Sequence, residues 1–150
     1  MGNGVVVDYS DYPFPVPVVR VIITDDWGRV LLLRRKILGH AGGRWCLPGG
    51  KVDRGQTVEQ AAARELAEET QLEAVGLRFL FYQDRLPDAT TEMHCINLYF
   101  VCETYGAVTL NSESCDYAWV DPEDLDQYDL AFGHDEALRR YWAAYPQAQA

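Results

Sequence analysis

Positive charge is what this 150-residue chain has least of: 13 lysines and arginines stand against 23 acids, giving a formal net charge of −10. Such an acidic field repels phosphate backbones and excludes a general binder of extended nucleic acid. No apolar run approaches the ~20 residues of a membrane-crossing helix, so no membrane partner is expected. The four cysteines, at 46, 95, 102 and 115, form no CxxC pair, so the spacing of a structural zinc site is missing. The opening MGNGVVVDYSDYPF has neither a basic region nor an apolar stretch of secretory type, and Val6 breaks the myristoylation pattern after Gly2. Reduced thiols in a cytoplasmic protein are the expectation.

The chain length suits one domain with a sizeable core, and 12% aromatic content argues against disorder. The acids are concentrated: residues 84–129 hold eleven, against a single base, Arg85. Most of that run reads as solvated surface. Residues 1–17, with Pro13, Pro15 and Pro17, read as an extended lead-in, and 18–150 as the domain. Val18–Thr24 and Val30–Arg34 read as strands joined by the turn Asp25-Asp26-Trp27-Gly28, hence as a hairpin. Residues 36–44 form a glycine-bearing loop, and Pro48-Gly49-Gly50 marks a sharp bend. Thr57 caps a helix predicted over Val58–Leu72. Strands are predicted at 76–84, 94–103, Val108–Leu110 and Tyr117–Val120, with Cys95 and Cys102 as small core residues. Asp121-Pro122 caps and opens a short helix, and Asp135 caps a last one, Asp135–Tyr145. Strands and helices without regular βαβ alternation define an α+β protein, a mixed sheet with helices on its faces.

The chemistry concentrates in Arg64-Glu65-Leu66-Ala67-Glu68-Glu69. On a helix, residues 65, 68 and 69 share one face, where like charges repel by a few tenths of a kcal/mol per pair. A hard divalent cation such as Mg²⁺ turns that repulsion into coordination; a solvated acidic face is the other reading. The Gly49-Gly50 pair just upstream lets backbone carbonyls approach the same ion.

Residues 50–72 resemble the Nudix box, G-x5-E-x7-R-E-U-x-E-E-x-G-U, with U a bulky aliphatic residue. Gly50, Arg64, Glu65, Leu66, Glu68, Glu69 and Leu72 match in register, seven of nine defined positions, and LPGGKV with Trp45 upstream fits the same family. Gln56 replaces the family's Glu, which braces the box arginine, and Gln71 replaces a Gly that suits the left-handed end of the helix. The first change weakens a charge-assisted bond to Arg64; the second costs about 1 kcal/mol or forces another helix ending.

The resemblance implies the Nudix fold, a mixed β-sheet sandwiched between α-helices (α/β/α), over most of the chain. It implies Mg²⁺, with Mn²⁺ able to substitute, held by Glu65, Glu68, Glu69 and the Gly49 carbonyl. Family members often add a carboxylate from a later loop; Glu113 is the candidate, ahead of Glu103 and Asp116. The implied reaction is attack of water on a diphosphate in a small nucleotide: a nucleoside triphosphate, ADP-ribose or a nucleotide sugar. Glu65 is the first choice of base, Glu69 the second, and Arg64 completes the catalytic group. Arg34, Arg35, Lys36 and Arg44 are candidates for phosphate or leaving-group contacts. His134 lies where some purine-selective relatives place base-reading side chains. Two alternatives share the fold: a non-catalytic nucleotide-binding module, and an isopentenyl-diphosphate-type isomerase, for which Cys46 is the only cysteine close before the box. A monomer or a homodimer is compatible with the sequence.

Overall fold

The computed structural model describes residues 13–39, 41–89 and 93–146. Seven strands and two α-helices are present among them: β1 (Val16–Ile23), β2 (Val30–Arg35), β3 (Trp45–Cys46), β4 (Gly49–Lys51), α1 (Val58–Thr70), β5 (Glu73–Arg85), β6 (Cys95–Tyr105), β7 (Ser114–Val120) and α2 (His134–Ala144). A 3₁₀ helix, Pro122–Gln127, precedes α2.

The strands form two sheets. One has the order β4-β1-β6-β5, with β1 and β6 parallel and the other pairs antiparallel; the second is antiparallel, β3-β2-β7. The hairpin expected from β1 and β2 is therefore corrected: they are joined by the Asp25–Gly28 turn but belong to different sheets, with an isolated backbone bridge between Thr24, just past β1, and Val30. The turn chemistry was read correctly. Asp25 Oδ1 accepts from the Trp27 and Arg29 amides, and Gly28 has φ +77°. Apolar residues on both faces of each strand explain the partners, because such strands must be covered twice.

That double covering shows in the alternation. Val19, Val21 and Ile23 of β1, with Leu31 and Leu33 of β2, pack on Ala61, Ala62 and Leu66 of α1. Ile22, Val30 and Leu32 point the other way, to Ala137, Leu138 and Tyr141 of α2. Helices thus cover opposite faces of the strands, the α/β/α arrangement expected. Each fully buried leucine contributes roughly 2 kcal/mol.

α1 starts as expected. Thr57 and Gln60 exchange side-chain to backbone hydrogen bonds in a capping box. It ends at Thr70, because Gln71 adopts φ +59° and donates its amide to the Ala67 carbonyl. A glutamine thus fills the left-handed position that favours glycine. Other expectations are corrected. Val108–Leu110 forms no strand. Asp121 makes no capping bond, and α2 is entered through Gly133, at φ +72°, not through Asp135. β1 begins at Val16, inside the expected lead-in; residues 1–12 of that lead-in lie outside the described residues.

Candidate active site

A cavity of about 500 Å³ opens over one face of the four-stranded sheet. Its floor is legible from the register. Gly49, Arg20, Tyr99 and Phe81 form one row across β4, β1, β6 and β5; Lys51, Val18, Asn97 and Gln83 form the next. Ile22 and Val101, one row on the other side, already belong to the apolar core. The same sheet face is thus core at one end and polar at the other.

The acidic side comes over the β4 edge from α1. A Cβ on Gly50 would lie 2.6 Å from the Glu65 carboxyl carbon, and one on Gly49 would collide with the Val19 carbonyl. Two glycines at this edge let the helix carboxylates reach past the strand, a stronger reason for them than turn formation. Glu69 Oε2 accepts from the Gly49 amide at 2.8 Å. Burial pushes the Glu69 carboxyl up to about 8, against the pull of that amide and of Arg20, with Glu65 and Glu113 adding repulsion. Burial also raises Glu65, with Arg64 opposing and Glu68 and Glu113 adding to it. Glu113, from the turn before β7, lines the same cavity.

Glu68 stands apart. It is more than half exposed, lies outside the cavity lining, and bonds Arg64 at 3.3 Å. Arg64 gathers Asp53, Glu65 and Glu68 around its guanidinium and bonds Gln56 Oε1 and the Lys51 carbonyl. It ties the β4–α1 loop to the helix, and Gln56 takes the bracing position as a neutral acceptor.

The basic candidates separate. Arg35 lines the cavity with its guanidinium over the Phe132 ring, 5.2 Å from the centroid. Arg34 turns away and braces the loop through the Gly43 carbonyl at 3.0 Å. Arg44 binds Asp129 and the Leu130 carbonyl beside a second groove. Lys36 is exposed and lies outside both linings. His134 is corrected most sharply: it is 0% exposed, its Nδ1 accepts from the Leu47 amide at 3.0 Å, and it lines neither this cavity nor the second groove. Glu103 and Asp116 also lie outside the cavity, whereas Cys95, expected in the core, lines it.

Sequence reasoning missed Arg20, Lys51, Arg85 and Asn97, which also line the cavity. Arg20 bonds the Leu47 carbonyl, stacks on Phe132 at 5.1 Å, and keeps a buried Nε without a partner. One signal was available: Arg20 and Asn97 are lone polar residues in otherwise apolar strand runs, at positions whose alternation points inward.

Among the described residues, no three Asp, Glu, His or Cys side chains stand close enough to grip an ion as they lie. Glu69 is held by Gly49 and Glu68 by Arg64. The donor chemistry nonetheless fits a hard divalent ion. Glu65, Glu69 and Glu113 offer oxygen donors only, Glu113 adds to the upward push on both Glu65 and Glu69, and the neighbouring glycines leave the approach open for want of Cβ atoms.

The NUDIX domain family profile matches residues 14–141. A nucleoside triphosphatase from Escherichia coli, NudI, is 34% identical over 131 residues, covering 81% of this chain and 93% of its own. Among solved structures, the MutT protein of Methanosarcina mazei superposes with a TM-score of 0.77 at 26% identity, over 90% of this chain and 99% of that one. A MutT NUDIX hydrolase from Burkholderia pseudomallei gives 0.75 at 29% identity, over 84% and 97%. The protein belongs to the NUDIX family. It is a MutT-like nucleotide pyrophosphohydrolase, a hydrolase of phosphorus-containing anhydrides.

Proposed function

We propose that this enzyme is a Mg²⁺-dependent hydrolase of nucleoside triphosphates. The observation that carries the reading is the mixed lining of one cavity: Glu65, Glu69 and Glu113 together with Arg20, Arg35 and Lys51. A polyphosphate chain needs both, carboxylates to hold the cation and cations to hold the phosphate oxygens beyond it. The relationship to a protein named as a nucleoside triphosphatase supports this substrate class over ADP-ribose or nucleotide sugars.

Glu65, Glu69, Glu113 and the Gly49 carbonyl would hold Mg²⁺, or Mn²⁺ in its place; Glu68 would join them on leaving Arg64. Bound there, the ion supplies neutralisation of the phosphate oxygens and a more acidic water. Glu65 takes the proton from the attacking water, with Glu69 as second choice. A water oxygen bonds to phosphorus, the anhydride P–O bond breaks, and the leaving phosphate departs as an anion. Arg35 and Arg20 orient and neutralise it, and Arg64 keeps the β4–α1 loop in register with the helix. Cys46, the cysteine an isomerase would need, is buried and outside the cavity lining, and its thiol is pushed up by burial. The intact carboxylate set argues against a binding-only module. Among the described residues no helix could cross a membrane, and all four cysteines are free thiols, which suits a reducing compartment such as the cytoplasm.

Purified protein incubated with nucleoside triphosphates, ADP-ribose and nucleotide sugars, with Mg²⁺, Mn²⁺ or a chelator, tests this. Triphosphate cleavage should require metal and fall at least ~100-fold in Glu65→Gln and Glu69→Gln. Loss should be ~10-fold or more in Glu68→Gln. Turnover that survives in chelator, or in Glu69→Gln, would overturn the assignment.

A further inference from the structure

The polar row at the far end of the cavity floor contains a side chain held in one orientation by its neighbours. Gln83 Nε2 donates to the Gly133 carbonyl, which can only accept, so Gln83 Oε1 faces the other way. That oxygen accepts from the Tyr99 hydroxyl at 2.9 Å and from Asn97 Nδ2 at 3.3 Å. The direction of the chain therefore fixes the Asn97 amide: its nitrogen points down to Gln83 and its oxygen is left for the cavity. Asn97 is 3% exposed and lines that cavity. With its nitrogen engaged from below, the amide presents its oxygen as the acceptor for a donor entering the cavity.

Position says which part of a substrate brings that donor. Asn97 lies on β6, two strands across the floor from β4, where Glu69 bonds Gly49. Two strand spacings are about 10 Å. A nucleotide whose phosphates lie at the carboxylate edge therefore carries its nucleoside to Asn97. Arg85, at the cavity-facing position next along β5 from Gln83, supplies donors alongside the Asn97 acceptor. An acceptor beside donors complements a base edge that offers an amine beside a ring nitrogen, as cytosine and adenine do. It opposes a base with a carbonyl in the amine's place.

Resting on the hydrolase reading above, we propose that Asn97 determines base specificity by accepting a hydrogen bond from the exocyclic amine of a cytosine or adenine nucleotide. Gln83 and Tyr99 are positioning residues that orient it.

Matched pairs test this: CTP against UTP, and ATP against ITP, differ at the position read. With the wild type and Mg²⁺, kcat/KM should favour the amino member of at least one pair by roughly tenfold or more, the effect of setting a base carbonyl against that acceptor. Asn97→Leu should bring that ratio to about one, chiefly by slowing the amino nucleotide. Asn97→Thr suits a strand, and its hydroxyl both donates and accepts, so it too should abolish the preference while keeping turnover. Equal rates on both members of both pairs in the wild type, or a preference unchanged in both variants, would overturn the proposal and leave the hydrolase reading standing. If no nucleotide is turned over, the hydrolase reading fails. The same ratio then decides this proposal when measured as Kd by titration calorimetry with CTP, UTP, ATP and ITP.

Discussion

Replacing His134 by glutamine should flatten the acid side of the stability profile. His134 sits at the start of α2, fully buried, with Nδ1 accepting from the Leu47 amide and the rings of Tyr99 and Phe132 at 6.2 and 5.5 Å. Burial, reinforced by Arg20, Arg35, Arg85 and Arg44, holds its pKa well below 6.5. In the unfolded chain the imidazole titrates near 6.5. The folded pKa is therefore the lower one. The neutral ring contributes fully above pH 6.5, and below it the unfolded state binds a proton that the folded state refuses. Stability then falls with a limiting slope of about 1.4 kcal/mol per pH unit, or about 2 kcal/mol by pH 5.0.

Glutamine presents an acceptor to the Leu47 amide and does not titrate in this range. Urea unfolding of both proteins at intervals from pH 8 to pH 5, with chelator present, measures the difference directly. The carboxylates titrate in both, so their contribution largely cancels. The wild type should lose about 2 kcal/mol more than His134→Gln across the interval. Parallel profiles would refute the reasoning and mean that His134 takes a proton inside the fold without penalty.

Two further outcomes follow from the backbone. Gln71→Gly removes a side chain from a left-handed position, φ +59°, and leaves the capping bond to Ala67 intact; it should stabilise by roughly 0.5–1 kcal/mol, raising Tm by about 2–4 °C, and a lower Tm would contradict it. Gly50→Ala places a methyl group 2.6 Å from the Glu65 carboxyl carbon; activity should fall by about 100-fold with only a modest change in Tm, and an unimpaired enzyme would show that Glu65 has room to retreat.

The half of the site on α1 was open to reading because its constraints are local. Helical spacing puts Glu65, Glu68 and Glu69 on one face of α1, of which Glu65 and Glu69 reach the cavity, and the glycine pair stands fifteen residues upstream of that cluster. At Gln71 the sequence left a strained left-handed residue and another helix ending both open, and the structure takes the first, φ +59°. What could not be read was which face a distant strand turns to the cavity. Arg34 and Arg35 are neighbours in sequence, yet strand alternation sends one to the Gly43 carbonyl and the other to the cavity. His134 looked available beside Asp135 and Asp129, and only tertiary packing buries it under Leu47. The hairpin failed similarly: a good turn specifies a reversal of direction, while burial on both faces decides the partners of β1 and β2.

Arg20 separates packing from function most directly. At an inward position of β1 between Val18 and Ile22, an apolar residue would extend the core; the arginine instead keeps a buried Nε without a partner, a defect of roughly 1–3 kcal/mol offset in part by its bond to Leu47 and its stacking on Phe132. A stability cost retained at a cavity wall is expected where the charge serves the ligand. Arg20→Met keeps the length of the side chain and removes charge and donors together. Its metal-free protein should melt at the wild-type temperature or above, while kcat/KM for triphosphates falls at least tenfold through the lost phosphate contact. A variant that melts well below wild type yet keeps full kcat/KM would assign Arg20 to the scaffold, and the phosphate contacts would then rest on Arg35 and Lys51.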